Sequence, residues 1–283
     1  MTENRRPITI RRHHRTLTAT AIMIGALLLL TAAPAAAQDD PAPVYTRVAM
    51  WQVDRAQWGD FVEDFEMHDQ PVLEKLFNEG VIIEWGLDAM SLHHPEGYTH
   101  GTWWSATSMA SLEKVLTAFD EAAEKRGKDA QKKIDAHFAG MLTKHRDYML
   151  RSGTYRAKDA RLDDGYFVSS SVRVKSGRDD DYHSVWDNRV KPVYEKLLQE
   201  GTIVAFGLTV EEISTGKPGG HESWYFTANA EGIDKVKAAF RADWGEEDKE
   251  GRRARWASIR DVVEEGTHRE QMTNLIHYAT KAY

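Results

Sequence analysis

An α+β protein built from one small unit written twice is predicted by three features of the 283-residue chain. First, the chain matches itself without gaps at an offset of 121 residues. Pro71–Leu87 lies over Pro192–Leu208 with 10 of 17 positions identical, and His100, Trp103 and Phe119 lie over His221, Trp224 and Phe240. Second, stretches rich in β-branched and aromatic residues alternate with stretches whose apolar residues recur at helical spacing. Third, there is no cysteine, so no disulfide can staple either half and each must rest on an apolar core.

The elements follow in order. A first strand over Tyr45–Val53 is matched by Tyr166–Val174. From Gln57 a helix carries Trp58, Phe61, Phe65, Val72 and Leu76 on one face, and its counterpart carries Tyr182, Val185, Trp186, Val193 and Leu197. Pro71 and Pro192 fall inside these stretches, which are therefore either kinked helices or two short ones each. Gly80 and Gly201 stand where a left-handed C-cap belongs. The second strand is Val81–Asp88, or Thr202–Val210; the third runs from His100 to Ala106, or from His221 to Thr227. Ser108 and Asn229 are natural N-caps for the next helix, whose inner face holds Leu112, Val115, Leu116 and Phe119. A further helical segment follows Gly127, with Ile134, Phe138, Met141 and Leu142, and in the second copy with Trp256, Ile259, Val262 and Val263. Last strands are expected near Asp147 and near Glu270.

Ahead of this lies a segment that reads as a secretory signal. Arg5, Arg6, Arg11, Arg12 and Arg15 precede an apolar stretch from Ala19 to Ala33, and Ala35 and Ala37 supply the small residues of a cleavage site. The alternative is a retained N-terminal anchor, for which the apolar run is short. Cleavage near Ala37 implies a periplasmic or secreted protein. The expected organisation is a signal peptide over 1–37, a flexible leader over 38–43, repeats over 44–157 and 165–283, and a linker over 158–164. Without residues 1–37 the chain holds 32 Lys and Arg against 43 Asp and Glu. So acidic a surface repels phosphate backbones and anionic lipids, which argues against nucleic-acid and membrane partners and leaves a small molecule. A homo-oligomer is compatible with the sequence.

The order β-α-β-β-α-β is the ferredoxin-like split unit. From Tyr45 to Tyr283 the chain resembles the dimeric α/β-barrel superfamily, in which two such sheets face each other; tandem members form the pair within one chain. The resemblance implies that arrangement here. It does not select a chemistry, since the superfamily holds haem-degrading and cofactor-free monooxygenases, chlorite dismutase-like haem proteins and dehydratase-like members. The haem-degrading members resemble one another in an Asn on the first strand with a Trp and a His further on. Neither first strand here contains Asn, although Trp103 or Trp104 and His68 or His100 match the other two. No cofactor is expected; haem and a transition metal are the alternatives.

Strand alternation places His100, Thr102 and Trp104 on one face, matched by His221, Ser223 and Tyr225, with Glu84 and Asp88 together on the preceding strand. These eight are the expected ligand contacts, with Glu84 or Asp88 as base and Trp103 and Trp224 turned to the helices. The competing reading has the two histidines capping strands by bonds to the backbone. His93, His94, Glu96 and His100 form a candidate metal cluster, in no standard zinc spacing. His145-Arg146-Asp147-Tyr148-Met149 recurs as His268-Arg269-Glu270-Gln271-Met272 at an offset of 123, where a cation beside a carboxylate either complements a helix end or grips a ligand. No nucleophile elbow, phosphate-binding loop or dinucleotide fingerprint occurs. The expected function is to bind, or to bind and transform, a small apolar or aromatic molecule between the two sheets. The alternative is a non-catalytic scaffold or interaction module of the cell envelope.

Overall fold

The computed structural model describes residues 42–92, 96–213, 219–245 and 249–283; the signal segment and its cleavage site, and His93 and His94, lie outside them. The first half runs β1 (Val44–Val53), α1 (Trp58–His68), α2 (Gln70–Asn78), β2 (Glu84–Met90), β3 (His100–Ala106), α3 (Met109–Arg126), α4 (Lys128–Met141) and β4 (Leu142–Ala157). After the short β5 (Ala160–Leu162) the order recurs as β6 (Tyr166–Arg173), α5 (Asp179–Arg189), α6 (Lys191–Gln199), β7 (Ala205–Ile213), β8 (Gly220–Thr227), α7 (Ala230–Gly245), α8 (Lys249–Val262) and β9 (Arg269–Thr280).

Local chemistry accounts for the breaks. Pro71 and Pro192 sit in the first turns of α2 and α6, where a missing N–H costs nothing, so each predicted helix is two short ones. Gly80 and Gly201 take φ of 75°, which a side chain would resist, and turn the chain from helix to strand. Ser108 caps α3 by accepting from the Ser111 N–H at 3.1 Å.

All strand pairings are antiparallel, in the order β2-β3-β1-β4-β7-β8-β6-β9, and β9 pairs back onto β2. Eight strands thus close into a barrel, with β5 extending the β9 edge next to β6. The two halves meet twice, β4 on β7 and β9 on β2, so each sheet edge finds its partner in the other half.

Three apolar clusters result. One lies between the first-half sheet and its helices around Phe61, Leu73, Trp85 and Val115. A second lies likewise in the second half around Trp186, Tyr194 and Val236. The third fills one end of the barrel with Trp103, Tyr155, Trp224, Phe226, Leu275 and Tyr278. Among the described residues no helix is long and apolar enough to cross a membrane.

Candidate functional site

The barrel interior has a closed end and an open one. At the closed end Glu84, 3% exposed, accepts four hydrogen bonds. Trp103 Nε1 and Ser105 Oγ reach Oε1 at 3.0 and 3.2 Å, and the Tyr155 and Tyr278 hydroxyls reach Oε2 at 2.5 and 3.0 Å. Burial raises the Glu84 pKa, opposed by these donors. Aromatic rings pack around this hub, with Phe226 stacked on Tyr278 at 4.2 Å between centroids.

Toward the open end the interior loosens into a cavity of about 170 Å³. Met50, Tyr98, Tyr148 and Leu150 supply its apolar lining, and Glu96, Ser171, Glu222 and Gln271 its polar lining. At the rim Arg146 pairs with Glu211 at 3.2 Å, and Arg269 stands exposed.

Asp88 lies on β2 opposite Gly101, one strand away from Met50. A side chain on Gly101 would begin 2.7 Å from Asp88 Oδ1 and 3.6 Å from Met50 Sδ, so the glycine leaves the space that both occupy. Thr273 Oγ1 donates to Asp88 Oδ2 at 2.5 Å, while Oδ1 has no partner of ordinary geometry, only the Gly101 backbone close by. Burial pushes the Asp88 pKa up to about 7, opposed by the Thr273 hydroxyl. Burial likewise raises Glu222, against the pull of Ser169. Two carboxyls inside one barrel are thus held toward their protonated forms, and Asp88, at about 7, can exchange a proton near neutrality.

The predicted contacts do not come together. Glu84 and Asp88 face the interior, but His100, Thr102 and Trp104, with His221, Ser223 and Tyr225, face the helices. This corrects the face expected from alternation. His100 is 1% exposed, packs on Trp58 and Phe61, and shares a 3.0 Å hydrogen bond with Thr99 Oγ1; burial lowers its pKa to about 4. Thr102 and Ser223 accept from the indoles of Trp51 and Trp186 at 3.0 and 2.9 Å. Trp104 lies against Phe119, and Tyr225 against Tyr194. His221 borders the open-end cavity, but its ring hydrogen-bonds the Gly219 carbonyl and packs on Tyr182 and His183 on the helix side. Trp103 and Trp224, expected beneath helices, fill the barrel instead. The cause is that β3 is buried along both faces, so alternation there separates two interiors rather than core from solvent.

Two glycine–tryptophan pairs could have revealed the true face. A Cβ on Gly86 would lie 2.2 Å from the Trp103 ring and one on Gly207 would lie 2.5 Å from that of Trp224. The Gly and Trp recur at the same offset, as expected where a ring lies flat across a strand. Of the residues missed as contacts, Arg146, Tyr148, Arg269 and Gln271 had been marked by their repeated motif; Glu211 and Glu222 carried no such signal.

Of the expected metal cluster, Glu96 is exposed at the rim and His100 lies beneath α1, well inside the helix core. Among the described residues no group of three or more His, Asp or Glu is placed to hold a metal ion. Haem does not fit this interior as folded. Its iron needs an axial side chain, the imidazoles flanking β3 and β8 are packed under helices, and the cavity is smaller than an ordinary ligand pocket.

An eight-stranded antiparallel barrel wrapped by helices, closed by two four-stranded sheets, defines the dimeric α/β-barrel fold, and solved structures agree. A candidate monooxygenase from Lactobacillus acidophilus NCFM superposes with a TM-score of 0.56 at 11% identity, covering 86% of this chain and 98% of its own. A second candidate monooxygenase, from Fusobacterium nucleatum subsp. nucleatum, gives 0.58 at 9% identity, covering 85% and 95%. At such identities the likeness is one of fold alone. No family model and no curated protein matches the sequence.

Proposed function

We propose that this is an exported protein, matured by cleavage near Ala37, that binds a small and largely apolar molecule in the open end of its barrel and transforms it by proton transfer to Asp88 or Glu222. The two halves, 44–157 and 165–283, act in this reading as tandem ferredoxin-like units. The carrying observation is the chamber itself: apolar side chains with Glu222 in the lining, and next to Met50, just behind that lining, the buried Asp88 carboxyl whose Oδ1 lacks an ordinary partner and whose pKa is near 7. The two fold neighbours described above are candidate monooxygenases, which is in keeping with a small organic molecule as the ligand. A volume of about 170 Å³ suits a ligand below drug size, or one whose remainder stays at the mouth.

The test is to fill the chamber. Leu150→Trp is expected to leave the fold intact and to abolish the melting-temperature shifts that wild-type protein shows with small ring compounds. Shifts of equal size in the variant would place binding elsewhere. The scaffold reading draws on the other end of the barrel, which is packed solid with aromatic rings. It gains if no small molecule is released from purified protein on denaturation and no compound shifts the melt.

A further inference from the structure

The chamber's two walls differ, and the internal repeat shows how. From the first half come Met50 on β1 and Tyr148 and Leu150 on β4, with Val48 next along β1 toward the aromatic end. The corresponding positions on β6 and β9 hold Ser169, Ser171, Gln271 and Thr273. The correspondence is fixed by structure: Val48 and Ser169 each pair with the third-strand Trp of their half, and Tyr155 and Tyr278 both reach Glu84. Apart from Glu96 and Arg146 at the mouth, the first-half wall is apolar, and the second-half wall is built to hydrogen-bond.

The same break in symmetry places the carboxylates. Asp88 stands where the second half has Thr209, and Glu222 where the first has Gly101. Each half therefore contributes one acid to the middle of the barrel, close enough for the charge of Glu222 to raise Asp88 further. Neither has a Lys or Arg partner among the described residues. Arg146 is taken by Glu211, and Arg269 is exposed at the rim. Asp88 is 4% exposed with Oδ1 unsatisfied, and Ser152, 5% exposed and reached from Glu222 through Thr209, has a hydroxyl with no partner. Buried acceptors without donors are costly, and a ligand that brings donors and positive charge removes the cost.

Resting on the chamber reading above, we propose that the molecule bound there is a small apolar amine held as its ammonium ion, its hydrocarbon part on Met50 and Leu150 and its N–H groups donated to Asp88 and Glu222. An ammonium carries three donors and no acceptor, which suits a site offering two carboxylates and an unused hydroxyl. Charge-assisted bonds of this kind are about twice as strong as neutral ones. The acidic chain, with net charge −7 overall, also draws cations toward it.

Calorimetric titration of the protein with benzylamine, benzyl alcohol and benzoate tests this, at about pH 8 so that Asp88 is ionised. Benzylamine is expected to bind at least about tenfold more tightly than benzyl alcohol, and benzoate not at all. Asp88→Asn and Glu222→Gln should each weaken benzylamine by about tenfold or more and leave benzyl alcohol nearly unchanged. Equal or tighter binding of the alcohol or of benzoate overturns the proposal, as does full amine affinity in the double variant. If the rings bind whatever their charge, and Leu150→Trp stops them, the chamber reading stands while the amine falls. If none of the three binds, the amine proposal is wrong, and the chamber is then judged by the wider compound panel.

Discussion

Glu84 and Asp88 lie on one strand and one face, yet their surroundings give them opposite duties. Glu84 has four donors, so its charge or its proton is fully accommodated and its part is to lock the closed end. Asp88 has one side-chain donor and an unsatisfied oxygen, which marks it for an incoming partner. Its raised pKa also has a stability consequence. Unfolded, the carboxyl ionises near 3.8; folded, it holds its proton to about 7. Between these values the unfolded chain sheds a proton that the fold retains, so stability falls as pH rises from about 4 to about 7, by on the order of 4 kcal/mol. Asp88→Asn should remove that slope, melting higher than wild type above about pH 7 and equal to it near pH 4. His100 and His221, with lowered pKa values, act with the opposite sign as pH falls below about 6.5, so the variant is read against wild type at each pH. A parallel pair of pH–melting curves would show that Asp88 is not the buried acid described.

At the scale of the element, β3 and β8 are the instructive strands. Their bounds and their repeat are legible in sequence, since β3 begins at His100 and ends at Ala106 as expected. Their facing is not legible. His100 and Thr102 look like site residues because they are polar, but the helix layer supplies its own polar partners, such as the Trp51 indole. Glycine opposite tryptophan is the better signal. Gly86→Ala and Gly207→Ala should therefore each destabilise by about 1–3 kcal/mol, because the added methyl meets a Trp ring, which at Trp103 is pinned to Glu84. Gly59→Ala in α1, with nothing within 4 Å, should be neutral or stabilising. Denaturant melts of the three variants check this; equal effects at all three sites would mean that the Trp rings yield freely.

For the whole molecule, closure is the governing fact. Each half is a four-stranded sheet whose outer edges are β2 and β4, or β7 and β9, and the other half pairs both. Cut off from its partner, the first half exposes two strand edges and the face bearing Trp103 and Tyr155. A fragment over 42–164 should therefore dimerise or aggregate, read by light scattering after size exclusion. A soluble monomer with native-like melting would show that the halves do not depend on each other.

The sequence by itself determined the repeat, the element order, the helix breaks at Pro71 and Pro192, and the turns at Gly80 and Gly201. Each depends on residues near in the chain or on identity between copies. It also placed Glu84 and Asp88 together on one face of their strand, and they stay together although both faces of β2 are buried there. Only the tertiary structure decided which face of β3 and β8 looks into the barrel, which acids are saturated, and that the chamber has one largely apolar and one polar wall. Those properties arise where strands distant in sequence meet: Tyr278 reaches Glu84 across 194 residues, and Thr273 reaches Asp88 across 185. A side chain's duty there is set by neighbours that no local pattern names.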